Sequence, residues 1–257
     1  MRTFSLKKLT VCLALAGLLA GCGGGSATRR PAVESAERQF TAPAEGDLIA
    51  IFTTSLGEIR AVLYPDVAPM AVENFVGLAR TGYYDGTVIW RCEPGFAVQG
   101  GDATGTGLGG SSIWSGNPFP AAYTDKLHHY AGALCAANSP DSAPSTTSQF
   151  YFVQALPSSV DKAARETLEG AGVRQEVIDA YAAVGGLPYL DSTDTVFGQV
   201  YDGMDVVDAI AGGEKGEDGQ ILEPVTINSV TISTYGAPDP APASQPASAP
   251  VSGSAAE

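Results

Sequence analysis

Cysteine is scarce in this chain, with four in 257 residues. Cys12 and Cys22 lie near the start, so only Cys92 and Cys135 remain for a folded domain. If the domain is exported, that pair is open to disulfide formation, but its scarcity gives little redox information. Histidine is scarcer: His128 and His129 are adjacent, with no cysteine or carboxylate at ligand spacing. They read as structural, and no metal site or cofactor is expected. Positive charge is also short. Fourteen Lys and Arg stand against 28 Asp and Glu. That balance excludes a nucleic-acid binder and electrostatic docking on anionic lipid. The apolar stretch Leu9 to Ala20 falls short of the ~20 residues that span a bilayer.

What the first residues do contain is an export pattern. Arg2, Lys7 and Lys8 form a positive region ahead of that stretch. Residues 1–21 therefore read as a signal peptide. The run Leu19-Ala20-Gly21-Cys22 resembles the bacterial lipobox, which implies that Cys22 carries the lipid, palmitate included, and becomes the mature N-terminus. Without residues 1–21, 11 basic residues face 28 acidic ones, a net of −17. Residues 22–46 read as a flexible tether rich in Gly, Ala, Ser and charge. Residues 236–257 form a Pro/Ala/Ser tail too poor in apolar surface to fold. What lies between, 47–235, suits one domain.

Within it, Leu48 to Thr53 and Glu58 to Leu63 read as strands joined by a hairpin turn at Ser55-Leu56-Gly57. Pro69 opens a helix whose apolar positions are Ala71, Phe75, Leu78 and Ala79, with Gly82 as its stop. Thr87–Trp90, Phe96–Gln99, Gly132–Ala137, Gln149–Gln154 and Val225–Ile232 read as further short strands. Met204 to Ile210 reads as a second helix. Between Pro157 and Pro188 the helical periodicity returns twice, once over Val160 to Ala171 and once over Val173 to Val184. The glycines at 170 and 172 separate the two runs. This reads as a helical hairpin, either decorating the domain or acting as a lid or client contact.

Three runs carry chemistry. The first is Trp90-Arg91-Cys92-Glu93-Pro94-Gly95-Phe96-Ala97-Val98-Gln99-Gly100-Gly101-Asp102. The second is Ala136-Ala137-Asn138 followed by Thr147-Ser148-Gln149-Phe150-Tyr151-Phe152. The third is Leu190-Asp191 with Val196-Phe197-Gly198-Gln199-Val200. In this order they resemble the cyclophilins, peptidyl-prolyl cis-trans isomerases of the cyclosporin-binding type. The resemblance covers Leu48 to Ile232, with residues 157–188 as an insertion. It implies a mainly β fold: a closed eight-stranded antiparallel barrel capped by two helices, here carrying the inserted hairpin. It implies that Arg91 is catalytic. It implies substrate binding by Phe96, Gln99, Ala137, Asn138, Gln149, Tyr151, Tyr189 and Leu190. If Arg91 and Ala137 both face the groove, strand alternation points Cys92 the other way while Cys135 shares the face of Ala137. Two buried free thiols are then expected.

The chain departs from the family pattern at four positions. Ala97 stands where methionine is common, and Tyr151 where phenylalanine is usual. Tyr189 replaces the tryptophan linked with tight cyclosporin binding, so only weak cyclosporin binding is expected. Asp194 stands where histidine or tyrosine is common. There it adds negative charge near Arg91, as a modulator that orients the guanidinium or competes for it. Gly105-Thr106-Gly107-Leu108-Gly109-Gly110 satisfies G-x-G-x-x-G, but no helix pattern follows. It reads as a glycine loop rimming the groove. The function expected is isomerisation of X-Pro bonds in exported, proline-containing polypeptides. The enzyme would be a lipid-anchored monomer at the outer face of the bacterial plasma membrane, or at the outer membrane where one exists. The alternative is a slow proline-binding or chaperone module tethered to the membrane.

Overall fold

In the computed structural model, the described residues are 33, 35–138, 145–214 and 222–238. Ten strands and four α-helices lie along them. The strands are β1 (Leu48–Thr54), β2 (Gly57–Leu63), β3 (Thr87–Ile89), β4 (Arg91–Glu93), β5 (Ala97–Gly100), β6 (Phe119–Pro120), β7 (Ala133–Asn138), β8 (Ser145–Val153), β9 (Thr195–Asp202) and β10 (Val225–Thr234). The helices are α1 (Pro69–Arg80), α2 (Lys162–Gly170), α3 (Gln175–Val184) and α4 (Met204–Ala211).

All of the pairings are antiparallel and form one sheet, ordered β3-β10-β1-β2-β9-β7-β8-β5-β4. Its two ends are neighbours in the chain, since only Trp90 separates β3 from β4. Trp90 N donates to Gln99 O, which continues the β4–β5 ladder past β4. The ring therefore closes through one bent strand. With β3 and β4 counted as halves of it, and the two-residue β6 set aside, the barrel is eight-stranded.

Alternation along the strands sorts side chains into two apolar bodies. Phe52, Ile59, Leu63, Val98, Leu134, Phe150, Phe152 and Phe197 fill the barrel. Phe75 of α1 enters this interior, with ring centroids 5.2–5.8 Å from those of Phe52, Tyr84, Phe150 and Phe197. Val207 and Ile210 of α4 pack into the same body, so both capping helices contribute to it. The second body lies on the outer face of β5, β8, β7 and β9, and includes Ala97, Ala133, Cys135, Ala137, Tyr151 and Val153. Cys92 belongs to the inner body and Cys135 to the outer one, and both are buried and outside any disulfide.

The insertion supplies much of the outer body. Val177, Ala180, Tyr181 and Val184 of α3 are buried in it, whereas α2 buries no residue. Asp161 caps α2, accepting Ala164 N at 2.9 Å. Lys162 pairs with Glu166 at 3.5 Å, while Arg165 reaches only the backbone oxygen of Asp161.

One expected boundary moves. The stretch expected to be a free tether is docked on the barrel from Glu37 onward. Arg38–Phe40 forms a 3-10 turn, and Glu37 and Gln39 are buried. Gln39 Nε2 donates to His128 O at 2.8 Å and Gln199 Oε1 at 2.9 Å, and its Oε1 accepts His128 N at 2.7 Å. Phe40 packs its ring 4.9 Å from that of Tyr130. The attachment is made by single polar and aromatic residues, which leave no periodic pattern. The expected signal peptide and Cys22 lie outside the described residues, as does the tail beyond Pro238.

Candidate active site

The register of three strands builds the site. Arg91 of β4 pairs with Gln99 of β5, and Gln99 pairs with Tyr151 of β8. These three side chains therefore form one cross-strand row on the outer face, at a strand spacing of ~4.8 Å. Tyr151 in turn pairs with Cys135 of β7, which places Ala137 and Asn138 at the far end of that strand.

Arg91 lies over the ring of Phe96, with its guanidinium carbon 4.9 Å from the centroid. Its Nε donates to Glu93 Oε1 at 2.8 Å. Among the described residues its two Nη groups have no protein partner. Phe96 is half-buried against the same body as Tyr151 and Leu190. The three surround an apolar patch beside the arginine.

Gln99 and Gln149 are buried and linked, Gln99 Nε2 donating to Gln149 Oε1 at 3.0 Å. Gln149 Nε2 donates onward to Gly107 O and Gly109 O at 2.9 and 2.7 Å. This fixes the glycine loop against the row. Asp102 holds the same loop from below, accepting Thr104 N, Gly107 N and Gly109 N at 2.7–3.1 Å. Burial works to raise the Asp102 carboxyl, but the Thr104, Gly109 and Gly107 hydrogen bonds hold it below the usual range. Gly101 has φ 84°, and a Cβ there would meet Ser148 O at 2.5 Å. The glycine loop is thus an anchored rim, and no helix follows it.

Tyr189 and Leu190 sit in a 3-10 turn, Pro188–Leu190, that returns from the insertion. Tyr189 is 66% exposed. Burial of the part that is covered raises its phenol pKa, Glu93 raises it further, and Arg91 lowers it. The tyrosine therefore stands within the field of both.

Asp194 is placed otherwise than its expected role beside Arg91. Its carboxylate accepts Tyr151 Oη at 2.7 Å and Asn138 Nδ2 at 2.6 Å. Burial raises its pKa, with the Tyr151 hydrogen bond and His129 opposing. The acid that pairs with Arg91 is Glu93. Sequence reasoning passed over it because it sits between two motif residues; the i, i+2 strand spacing to Arg91 was the available signal.

Asp191 was also missed. It accepts His128 Nδ1, His129 Nδ1 and His129 N, each at 2.9 Å, and Tyr181 Oη at 2.8 Å. Burial works to raise the Asp191 carboxyl, but the bonds from His128 and His129 hold it down to about 2. The two histidines thus have a structural partner far away in sequence. Among the described residues, no group of three or more His, Cys, Asp or Glu is placed to hold a metal. No helix there is long and apolar enough to cross a membrane.

Residues 49–232 match the family model for cyclophilin type peptidyl-prolyl cis-trans isomerases. A Staphylococcus saprophyticus protein named "Putative peptidyl-prolyl cis-trans isomerase" is 40% identical over 183 residues, covering 71% of this chain and 90% of that protein. A Streptococcus pyogenes protein named "Putative bifunctional phosphatase/peptidyl-prolyl cis-trans isomerase" is 43% identical over 182 residues. The match covers 70% of this chain but only 37% of that protein. A solved Cryptosporidium parvum cyclophilin, determined in the presence of the dipeptide Ala-Pro, superposes with a TM-score of 0.57 at 24% identity. That superposition covers 72% of this chain and 99% of that one, and speaks to the fold. The chain belongs to the cyclophilin-type peptidyl-prolyl cis-trans isomerase family.

Proposed function

We propose that this isomerase acts on X-Pro bonds of exported polypeptides while held at a membrane surface by a lipid on Cys22, with Arg91 as its catalytic group. The observation that carries the reading of the site is the row Arg91, Gln99, Tyr151, with Phe96 and Leu190 beside it.

The chemistry asks for little. Resonance gives the peptide C–N bond a rotation barrier of ~18–20 kcal/mol. Uncatalysed X-Pro isomerisation therefore takes ~10–100 s. No nucleophile and no proton relay is needed. As the amide twists, the prolyl nitrogen regains its lone pair and becomes an acceptor. A fixed cationic donor binds that twisted nitrogen better than the planar one, which is differential transition-state binding. Arg91 suits this because its charge is permanent and its donors form a rigid fork. Its Nε is committed to Glu93, leaving the Nη groups for the peptide. Phe96, Tyr151 and Leu190 supply apolar walls for the proline ring. Gln99, Gln149, Tyr189 and the β7 edge at Ala137 and Asn138 hold the peptide around it.

The lipid-anchor reading is supported by the order of Arg2, Lys7, Lys8, the apolar stretch and Leu19-Ala20-Gly21-Cys22. With the anchor, the chain works outside the plasma membrane, or at an outer membrane where one exists. Two experiments test the proposal. In refolding of an exported protein whose slow phase is X-Pro isomerisation, the wild-type chain shortens that phase and Arg91→Ala does not. In cell fractionation, Cys22→Ser moves the protein to the soluble exported fraction or leaves the signal uncleaved. A Cys22→Ser protein that stays on the membrane with its signal removed overturns the anchor.

A further inference from the structure

Glu93 lies two residues beyond Arg91 on β4. Strand alternation puts both on the outer face, with Cys92 between them turned into the barrel. The Glu93 carboxylate takes Arg91 Nε at 2.8 Å. Across the ladder it faces Ala97, whose side chain is only a methyl group. The side chains of the pair are 37% and 47% exposed. An ion pair so open to water contributes little to stability. Its consequence is the charge presented to a peptide lying against Arg91. An arginine alone would present a full positive charge and favour acidic neighbours of the proline. With Glu93 beside it, the local charge is close to zero. The remaining field is that of a chain with twice as many acids as bases.

We propose that Glu93 is a specificity-determining residue, which cancels the charge of Arg91 at the groove rim and selects X-Pro peptides with a basic rather than an acidic residue beside the bond. This rests on the reading that Arg91 meets the peptide. Tyr189, which lies in the field of both groups, marks the side of the groove where the selection is felt.

The test is kcat/KM for matched peptides with Lys, a neutral residue or Glu beside the X-Pro bond. It is measured for wild type, Glu93→Gln and Glu93→Asp at ~0.02 M and ~0.5 M salt. At low salt the wild type favours Lys over Glu by about twofold, because the pair is near neutral and only the screened field of the acidic chain remains. Glu93→Gln lowers that ratio at least fivefold, to inversion, while Glu93→Asp keeps it. High salt shrinks the difference in every variant. A Lys-to-Glu ratio that changes less than twofold on Glu93→Gln, or a wild type that prefers acidic peptides, overturns the inference. Failure of the Arg91 reading appears separately, as an Arg91→Ala protein that turns over the neutral peptide normally.

Discussion

Tyr151 Oη donates to Asp194 Oδ2 at 2.7 Å, so this acid is bonded to the tyrosine of the cross-strand row and not to the arginine. The tyrosine hydroxyl, one atom more than the family's usual phenylalanine carries, has found its partner. Such a buried hydroxyl needs one. Two of the four departures from the family pattern, Tyr151 and Asp194, are therefore one compensated pair. A double-mutant cycle with Tyr151→Phe and Asp194→Ala, read by urea unfolding, is expected to give a coupling of about 1–2 kcal/mol. Additive effects would contradict the pairing.

Gln39 joins the N-terminal segment to the barrel through three buried hydrogen bonds. Gln39→Ala leaves His128 N and His128 O without this partner inside the protein. A loss of about 2–3 kcal/mol is expected, since unsatisfied buried groups cost ~1–3 kcal/mol each. Substitution of exposed Glu45 by Ala is the control and should stay within ~0.5 kcal/mol. Equal unfolding midpoints for the two variants would mean the segment is not docked.

Asp191 predicts the acid limb of stability. Its folded pKa, about 2, lies below the ~3.9 of an unfolded aspartate. The stability it contributes is therefore fully present above ~3.9 and is lost as pH falls through about 2. The size is about 2–3 kcal/mol. Asp191→Asn should be less stable at neutral pH, and its further loss between pH ~5 and ~2 should be smaller than that of the wild type by this amount. Parallel pH profiles would remove Asp191 from the account.

Much of the fold was legible because its signals are local. The β1–β2 hairpin, α1 opened by Pro69 and the inserted helical pair all follow from turn residues and periodicity. β4 and β9 were not called as strands, although their residues were quoted as motifs. β4 is three residues long, and β9 is buried on both faces, so neither shows a clean alternation. The site row was legible through motif residues. What the sequence hid was long-range polar pairing. Asp191 with His128, Asp194 with Tyr151, and Gln39 with Gln199 are separated by 63, 43 and 160 positions. No pattern along the chain records such contacts. The Arg91–Glu93 pair, by contrast, was within reach at i, i+2.

Tyr189 stands 66% exposed, and the charges of Glu93 and Arg91 act on its phenol. Its ring is smaller than tryptophan's and lacks the indole N–H. Tyr189→Trp should therefore tighten cyclosporin inhibition of the isomerase by on the order of tenfold, about 1.4 kcal/mol. An unchanged inhibition constant would mean that Tyr189 does not meet the drug.

Arg91 is the group proposed to act on the twisting amide, and the most direct measurement is isomerisation of a neutral X-Pro peptide by Arg91→Ala. Losing one preorganised donor costs ~3–4 kcal/mol of transition-state stabilisation. The expected result is kcat/KM lower by ~10²–10³, carried mostly by kcat, in a protein whose unfolding midpoint is unchanged. Arg91→Lys should restore little, because an ammonium lacks the planar fork. A folded Arg91→Ala protein with near-wild-type turnover would contradict the account and move the chemical step to another part of the groove.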